Sequence, residues 1–567
     1  MKLTFFALIF PLFGLAQWDG NVTPTYPELI HIYQKWDKEH SEIELYQMGE
    51  SDTEYPIYLV ILNGAGDSLK TFQKAKESTT VLINNAIHAG EPDGVNACLL
   101  WIEEWIKNGK KTKDLPVIAI IPAYNVGGMM NRSSSSRANQ DGPEEYGFRG
   151  NAQNLDLNRD FIKMDSKNMW TFAKIFHSLD PDVFVDTHVS NGADYQYTLT
   201  FIHTIEERMD YGLFNLFKQK YLPSLTETLK KKNWDWSPYV QTASKTPESG
   251  IQTFDAYPRY AQGYASLFNT LSITVETHML KPFPQRVQAT RDYLDFLFHW
   301  SKANTSGIET QRKNAFMKAR FSKPNSRFDF DYYLSQDNDS LLFKGYEAGY
   351  KPSEISGNQR LFYDRNLPYE KYIPYFQTYY AKDSVRIPLG YIVSLEAKGI
   401  IERLKANGVE FTVIDSSSNR KVNTLRIVDF QSASKPYEGH YMHHHIKSME
   451  KSEEVRVPKG SIWIPCSQNK LTFILNVLEP RFEDSYFAWN LMDSYIQEKE
   501  YFSDYVFEDE AARILKENPS LREEFEKKKA NDPAFAGSGE AQLFFVYQNS
   551  QRFEKKTFNR LPIYKVY

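Results

Sequence analysis

The chain has 567 residues, of which 41% are hydrophobic and 25% charged, and its formal net charge is −5 at pH 7. This composition excludes a wholly disordered chain, and the near-neutral charge balance argues against a dedicated nucleic-acid binder, which would show clusters of basic residues. The two cysteines, Cys98 and Cys466, are too few for a disulfide scaffold or a cysteine-rich zinc module. Any metal site must therefore be built from His, Asp and Glu.

The first sixteen residues, MKLTFFALIFPLFGLA, are typical of an export signal. Lys2 precedes an apolar run that ends in small residues up to Ala16, where a signal peptidase would cut. The run is shorter than the about 20 residues that a membrane-crossing helix needs, and no other stretch is apolar enough. We therefore expect cleavage near Ala16 and an exported protein, periplasmic or secreted, that does not span a membrane.

Strand-like and helix-like segments alternate over residues 17–305. Runs rich in Val, Ile and Leu predict buried strands at IYLVILNG, TTVLINNAI, LPVIAIIPAYN, PDVFVDTHVS and Leu271 to Val275. Helical periodicity is found in TYPELIHIYQKWDKEH, DGVNACLLWIEEWIKNG, the stretch around Trp170 to His177 and FPQRVQATRDYLDFLFHWSK. In the second of these helices, we expect Asp93 to be the N-cap and Gly109 to end the helix. Strands that alternate with long helices indicate a mostly parallel sheet covered on both faces.

The pattern weakens from about Ala303 to Phe330 into Ser, Asn, Lys and Arg, which indicates a domain boundary. We therefore divide the chain into a signal peptide (1–16), an α/β domain (17–305) and a C-terminal accessory α/β region (306–567) of unknown role. Within that region, IPLGYIVSLEAKGIIERLKANGVEFTVID predicts a strand, a helix ended by Gly408, and a strand. Because three consecutive side chains rarely converge on one ion, the run of histidines at 443–445 predicts a polar surface loop rather than a metal site.

Three candidate metal ligands follow buried strands. His88 and Glu91 belong to the motif HAGE directly after VLINNAI, and His188 lies at the end of PDVFVDTHVS. Ligand sites of α/β sheets gather at the ends of strands. Two His and one Glu form a ligand set of catalytic zinc sites that leaves one position for water. H-x-x-E alone occurs often by chance, but together the three residues favour a metal.

A general base and a basic motif accompany these ligands. Glu276 lies in VETH, at the end of the last predicted strand, where a carboxylate can serve a metal-bound water. The motif RGNAQNLDLNRD, residues 149–160, lies between the two His ligands. Taken singly, each of these residues also has an ordinary interpretation. Glu276 would be a carboxylate on the protein surface, and Arg149 and Arg159 would form surface ion pairs, which contribute little to stability.

In this order, HAGE, RGNAQNLDLNRD, DTHVS and VETH resemble the motifs of the zinc carboxypeptidase family, the carboxypeptidase A-like metallopeptidases, over about residues 25–300. The resemblance implies an α/β/α sandwich on a mixed, mostly parallel sheet of about eight strands, here followed by a C-terminal α+β accessory region. It makes residues 17–305 the catalytic domain. It further implies an exported metallocarboxypeptidase that hydrolyses the C-terminal peptide bonds of peptides through a zinc-bound water and a Glu general base.

The resemblance also implies the catalytic roles. His88, Glu91 and His188 match the ligands of one Zn²⁺ per chain, and Glu276 matches the base that then passes its proton to the leaving amine. Asp156 matches the carboxylate that holds the first His ligand in one tautomer.

Substrate contacts follow from the same resemblance. Asn158 and Arg159 match the pair that grips a peptide's terminal carboxylate. Arg149 matches an oxyanion-stabilising Arg, for which Arg137 and Arg132 are weaker candidates.

The sequence departs from the family in two places. The family's N-P-D-G is replaced by Asn125-Val-Gly-Gly, so this loop is expected to differ. The family's substrate-covering Tyr falls among Tyr257, Tyr260 and Tyr264, and we favour Tyr257. The neighbouring Arg259 is expected to form a local ion pair rather than to select acidic side chains.

Two other functions share parts of this pattern. A deacylase or amidase of the aspartoacylase type would have the same ligands, although the set of Arg149, Asn158 and Arg159 favours peptides. A non-catalytic binding protein on the same fold is less favoured because Glu276 and all three ligands are present. The natural substrate, the side-chain preference and the oligomeric state are not indicated.

Overall fold

The computed structural model describes residues 20–554 and 557–567. The predicted signal peptide and its cleavage near Ala16 lie outside the described residues. Within the described ranges, no helix combines the length and the apolar character that crossing a membrane requires.

The strands up to residue 278 are β1 (Ile43–Glu50), β2 (Pro56–Leu62), β3 (Thr80–Asn84), β4 (Val117–Ile121), β5 (Val183–Ser190), β6 (Leu199–His203), β7 (Trp236–Pro238), β8 (Gln241–Thr242), β9 (Ile251–Gln252) and β10 (Leu271–His278). The helices of the same part are α1 (Tyr26–Glu39), α2 (Ser68–Glu77), α3 (Asp93–Lys107), α4 (Val126–Met130), α5 (Lys167–Leu179), α6 (Tyr211–Leu216), α7 (Leu222–Lys231), α8 (Ala261–Ser266) and α9 (Phe283–Ala303).

In the part of the chain that the structure describes, eight of these strands form one mixed sheet in the order β1-β2-β4-β3-β5-β10-β6-β7. The four central strands β4, β3, β5 and β10 are parallel to one another. The pairs β1–β2, β2–β4 and β10–β6 are antiparallel. The prediction of a mixed sheet of about eight strands is confirmed.

Helices cover both faces of this sheet. Phe184 and Thr187 of β5 point to opposite faces because successive odd and even positions of a strand alternate. The ring of Phe172 on α5 lies 5.9 Å from that of Phe184 on one face. On the other face α3 approaches Thr187 at Gly94, where any Cβ atom would clash with the Thr187 side chain.

The start of α3 differs from the prediction. Asp93 is the first helical residue, and Pro92 occupies the N-cap position. The Asp93 carboxylate instead accepts hydrogen bonds from the fully buried Arg286, at 2.8 Å, and from Thr277 Oγ1, at 2.9 Å. The end of α3 agrees with the prediction, since Gly109 adopts φ +82° just after the helix. Asp93 is therefore used to join α3, β10 and α9 rather than to cap a helix.

From Thr305 onwards the strands are β11 (Arg327–Leu334), β12 (Asp339–Pro352), β13 (Gln359–Phe376), β14 (Tyr379–Arg386), β15 (Gly390–Val393), β16 (Thr412–Val413), β17 (Ser418–Ser432), β18 (His443–Val457), β19 (Ile462–Pro465) and β20 (Arg560–Val566). The helices are α10 (Thr305–Arg320), α11 (Lys398–Ala406), α12 (Leu471–Leu478), α13 (Asp504–Glu517), α14 (Pro519–Asn531), α15 (Pro533–Ala536) and α16 (Gly539–Asn549). The predicted strand–helix–strand unit is β15, α11 and β16, and Gly408 follows its helix with φ +67°.

The accessory region is tied to the first sheet at several points. The weakly patterned segment at the predicted boundary contains α10, whose Arg312 donates to Asp182 at 2.7 Å and to Asp180 at 2.9 Å. Strands β8 and β9 join β12 and β13 in one sheet, in the order β12-β13-β9-β8. Arg259 forms the expected ion pair, but its partner is Asp484 of the accessory region, at 2.8 Å, rather than a residue near it in the sequence. The division at residue 305 stays a prediction.

The histidine run lies at the start of β18 rather than in a loop. His443 is buried, and its Nε2 lies 2.8 Å from Asp493 Oδ1, whereas His444 and His445 are exposed. The ring centres of His444 and His445 lie 5.1 Å apart, whereas His443 is paired with Asp493. That the run is not a metal site stays a prediction.

Candidate active site

The ends of three parallel strands bring the predicted site residues together. In the register of β5 with β10, His188 lies directly beside Glu276. On the other side of β5, Asp186 lies beside Asn84, the last residue of β3, and His88 follows in the loop. Because the carboxyl ends of parallel strands share one edge, these side chains meet there.

His88, Glu91 and His188 form a buried cluster with one potential ligand atom from each residue within 4.8 Å of the others. His88 Nδ1 lies 3.2 Å from Glu91 Oε1, and His188 Nδ1 lies 3.0 Å from Glu91 Oε2. Among the described residues this is the one cluster of three or more His, Cys, Asp or Glu able to hold a metal ion.

Each histidine is oriented by a carboxylate on its other ring nitrogen. His88 Nε2 lies 3.0 Å from Asp156 Oδ1, and His188 Nε2 lies 2.8 Å from Asp186 Oδ2. A proton donated from Nε2 leaves Nδ1 as the lone-pair nitrogen, and both Nδ1 atoms face Glu91. The set therefore fits zinc. The role of Asp186 is not singled out by the sequence, although its spacing of two from His188 places both on one face of β5.

Two arginines balance the charge of this cluster. Arg137 Nη1 donates to Glu91 Oε1 at 2.8 Å, and Arg149 Nη2 donates to Asp156 Oδ2 at 2.9 Å. Burial acts to raise the pKa of Glu91, but Arg137 and the two histidines hold it well below its ordinary value. Arg149 Nη1 lies 3.6 Å from Glu91 Oε1, and its side chain is 46% exposed, so it can still reach a bound ligand.

The remaining candidate arginine is not part of the cluster. Arg132 donates to the backbone carbonyls of Thr23 and Glu145, and it does not line the cavity. The loop that departs from the family's N-P-D-G forms the short helix α4 with Asn125 as its N-cap. Asn125, which the two motifs share, also donates from Nδ2 to the carbonyl of Arg149 at 3.0 Å, so this loop supports the backbone of a site residue.

Glu276 is buried beside the cluster, and its Oε2 has no hydrogen-bond partner in the described part of the chain. Burial raises the pKa of Glu276 to about 8. His188 acts to lower this pKa, and the negative charge of Glu91 acts to raise it. His278, two residues further on, is stacked on the ring of Tyr195 at 4.1 Å and does not line the cavity.

A cavity of about 560 Å³ opens over the cluster. The predicted site residues that line it are His88, Arg149, Asn158, Arg159, His188 and Glu276. Glu91 and Asp156 lie behind these residues, where they contact the two histidines.

The structure places the three candidate tyrosines differently, and the choice of Tyr257 stays a prediction that these positions do not favour. Tyr260 lines the cavity, whereas Tyr257 does not. The guanidinium carbons of Arg208 and Arg259 lie 5.0 and 5.5 Å from the centre of the Tyr257 ring, which is thus engaged elsewhere. Tyr264 is fully buried in the core. Spacing along the chain could not separate these residues, because only the path of the loop before α8 decides which of them faces the cavity.

Asn158 and Arg159 are both held by neighbouring groups. Asn158 Oδ1 accepts from the backbone N–H of Ala261 at 2.9 Å. The guanidinium of Arg159 lies over the Tyr260 ring, 4.5 Å from its centre, and its Nε donates to the hydroxyl of Tyr437 at 2.9 Å. The contact with Tyr437 comes from the accessory region.

Several further residues line the cavity without a sequence signal, and three of them contribute large or polar side chains. Tyr239 and Phe254 form part of its wall, and Gln262 is buried there. Gln262 Oε1 accepts from Thr274 Oγ1 at 2.8 Å, whereas Gln262 Nε2 has no partner among the described residues. The cavity therefore offers one amide donor that a bound molecule can satisfy.

Residues 29–185 match the sequence model of the zinc carboxypeptidase family. This part of the chain carries a zinc carboxypeptidase domain. The resemblance inferred from the motifs is thus confirmed over these residues, and the match supports a zinc metallopeptidase. No curated protein sequence matches it.

Solved structures of carboxypeptidases are also similar in fold to part of this chain. A metallo-carboxypeptidase from Burkholderia cenocepacia is 15% identical, with 51% of this chain and 70% of that chain covered and a TM-score of 0.36. One from Pseudomonas aeruginosa is 15% identical, covering 50% and 68%, with a TM-score of 0.35. Carboxypeptidase A from Helicoverpa armigera is 13% identical, covering 53% and 75%, with a TM-score of 0.37. Likenesses of this size do not bear on substrate or mechanism.

We predict that the purified metallopeptidase holds about one zinc ion per chain, since three side chains with one open position form a complete catalytic set. Replacing both His88 and His188 by Ala should abolish this zinc in elemental analysis after dialysis. A double variant of the exposed histidines, His444→Ala with His445→Ala, is the control and should keep it. Undiminished zinc in the first variant would contradict the assignment.

Proposed function

We propose that this zinc metallopeptidase is an exopeptidase that releases the C-terminal residue of peptides. The observation that carries the proposal is that Arg159, Glu276 and the histidines of the metal cluster line one cavity. A peptide whose terminal carboxylate contacts Arg159 would have its last peptide bond near Glu276. Arginine binds carboxylates in a bidentate manner, which fixes both position and orientation.

Glu276 is proposed as the general base. Zinc, when bound by His88, Glu91 and His188, supplies a Lewis acid next to this carboxylate. Glu276 takes the proton of the attacking water and returns it to the leaving amine. Its buried position beside the metal ligands suits both steps, because a carboxylate held there can accept the proton of the water and then donate it to the amine.

Arg149 is proposed to stabilise the transition state. Its half-exposed guanidinium lies beside the metal cluster, anchored by Asp156. A cation held there can donate to the carbonyl oxygen of the scissile bond as negative charge develops. Arg137 is less suited, because its guanidinium is engaged by Glu91 and by the carbonyl of Val189.

The proposal includes export. The sequence before residue 17 supports removal of a signal peptide near Ala16 and a periplasmic or secreted location.

We expect Glu276→Gln to retain zinc and to lower kcat by about 10²–10⁴, because an amide cannot accept the proton of the attacking water. The measurements are turnover of a peptide with a free C-terminus and zinc content on the same preparation. Glu206→Gln, an exposed carboxylate in the same domain, is the control and should be unaffected. Activity near that of the unmutated enzyme would rule out Glu276 as the base.

Amidation of the peptide's C-terminus distinguishes the exopeptidase from a deacylase or amidase. A charge-assisted hydrogen bond is worth about 1.5–3 kcal/mol, so losing the carboxylate should lower kcat/KM by at least about tenfold. Arg159→Ala should slow free-acid peptides and narrow this difference, whereas Arg320→Ala, at the exposed end of α10, should not. Equal rates on amidated and free-acid peptides in the unmutated enzyme would favour the amidase.

The unpartnered amide of Gln262 predicts a side-chain preference. A C-terminal Gln, whose carbonyl can accept from Nε2, should be released faster than the similarly long but apolar Met, by about threefold or more for one neutral hydrogen bond. Gln262→Leu should reverse this order in a comparison of kcat/KM. Gln285→Leu, whose side chain does not line the cavity, is the matched control. A preference for Met in the unmutated enzyme would show that Gln262 does not face the released residue.

A further inference from the structure

The hairpin of β17 and β18 ends in a tight turn that reaches the active-site segment 156–159. This tip turn is formed by residues 437–440. The backbone N–H of Tyr437 donates to the carbonyl of His440 at 2.8 Å, and that of His440 donates to the carbonyl of Tyr437 at 3.0 Å. The two central residues, Glu438 and Gly439, have φ +49° and φ +82°. Positive φ at both central positions is the mark of a type I′ turn, whose twist matches that of the strands it joins. The tip is therefore a defined structure.

Tyr437 contacts Arg159 directly. Its hydroxyl accepts a hydrogen bond from Arg159 Nε at 2.9 Å. The Tyr437 ring is stacked on the fully buried ring of Trp489, with centres 6.1 Å apart and planes at 19°. Trp489 in turn donates from Nε1 to Asp484 at 3.0 Å. A rigid support in the accessory region thus fixes where the hydroxyl lies.

This contact selects which edge of the guanidinium faces the cavity. Nη1 of Arg159 donates to the carbonyl of Asn158 at 2.8 Å, and one face of the group lies on the Tyr260 ring. A guanidinium can grip a carboxylate through the pair Nε and Nη2 or through the pair Nη1 and Nη2. Because Tyr437 occupies Nε, a substrate carboxylate can be bound in this way only by the pair Nη1 and Nη2. Nη1 has two N–H groups, so it can donate to Asn158 and to the carboxylate at the same time. The orientation of Arg159 therefore depends on a residue from outside the zinc carboxypeptidase domain.

Glu438 holds the other end of the same segment. Its Oε2 accepts from the backbone N–H of Asp156 at 2.7 Å. Asp156 Oδ1 lies 3.0 Å from His88 Nε2, as described above. His440 anchors the tip further along, since its Nε2 lies 2.7 Å from Asp165 Oδ2. One turn of the accessory region thus contacts the chain before, at and after the residues that bind substrate.

We propose that the accessory region completes the carboxylate-binding site, with Tyr437 as the positioning residue of Arg159 and Glu438 as the support of Asp156. This inference rests on the proposed function, because it needs a substrate with a free terminal carboxylate. It assigns a role to residues 306–567 that the sequence does not indicate. Without the tip turn the guanidinium is held only by the Asn158 carbonyl, the Tyr260 ring and the nearby Asp156, its Nε edge is released, and the enzyme discriminates less between free and blocked C-termini.

Tyr437→Phe tests the proposal because it removes the hydroxyl and keeps the ring on Trp489. We expect kcat/KM on a free-acid peptide to fall by about tenfold, mainly through a higher KM, and kcat/KM on the amidated peptide to change little. Tyr441→Phe, an exposed tyrosine in the same loop, is the matched control and should leave both values unchanged.

Glu438 provides a second variant pair. Glu438→Ala removes the acceptor for the Asp156 N–H and should raise KM for the free-acid peptide, whereas the amide oxygen of Glu438→Gln can still accept this bond and should restore most of the affinity.

The outcomes separate the two proposals. A full preference for free-acid peptides in Tyr437→Phe would overturn the role of the tip turn and leave the proposed function intact. Equal losses on both peptides in Tyr437→Phe would show a merely structural role and overturn it as well. If the unmutated enzyme shows no preference for the free acid, the proposed function fails, and the role of the tip turn fails with it.

Discussion

Four carboxylates crowd the edge of the central sheet, and the compensation of their charge determines how the site is built. Glu91, Asp186 and Glu276 are buried, and Asp156 is nearly so. Unpaired charges are costly in the interior, so each carboxylate needs a cation or a set of donors. The imidazoles of His88 and His188 and the guanidiniums of Arg137 and Arg149 contact Glu91, Asp156 and Asp186. Glu276, whose Oε2 has no protein donor in the described ranges, is the one left to react.

The parallel core of the sheet supplies the geometry for this arrangement. Strands β3, β5 and β10 are neighbours, and their carboxyl ends present ligands from three distant parts of the chain. The buried pair of Arg286 and Asp93 joins α3, which follows HAGE, to α9, which follows β10. Arg286 also donates to the carbonyls of Asp141 and Gly142, in the loop that carries Arg137 and Arg149. The buried guanidinium of Arg286 thus links the two helices beside the sheet to the loop that carries the two arginines of the site.

The sequence predicts that the three candidate ligands meet, because each lies near the end of a strand or in the loop after one, and the apolar runs of these strands are unmistakable. It also predicts the sheet, since strands and helices alternate clearly up to α9. It does not predict the N-cap of α3, because the carboxylate of Asp93 has a stronger tertiary partner in Arg286 than the helix end. The sequence cannot show which of Tyr257, Tyr260 and Tyr264 faces the cavity, because this depends on how the loop before α8 runs. The contact between Asp156 and Glu438 spans 282 residues, and no local pattern marks it.

The long sequence separation of that contact has a consequence for biosynthesis. All candidate metal ligands and the proposed general base have been synthesised once Glu276 leaves the ribosome. Tyr437 and Trp489 follow well over a hundred residues later, a delay of roughly ten to forty seconds at about 5–20 residues per second. A nascent chain therefore contains all of its candidate ligands before the residues that we propose to orient Arg159 exist. In the proposed enzyme, selectivity for free C-termini thus depends on the part of the chain that is made last.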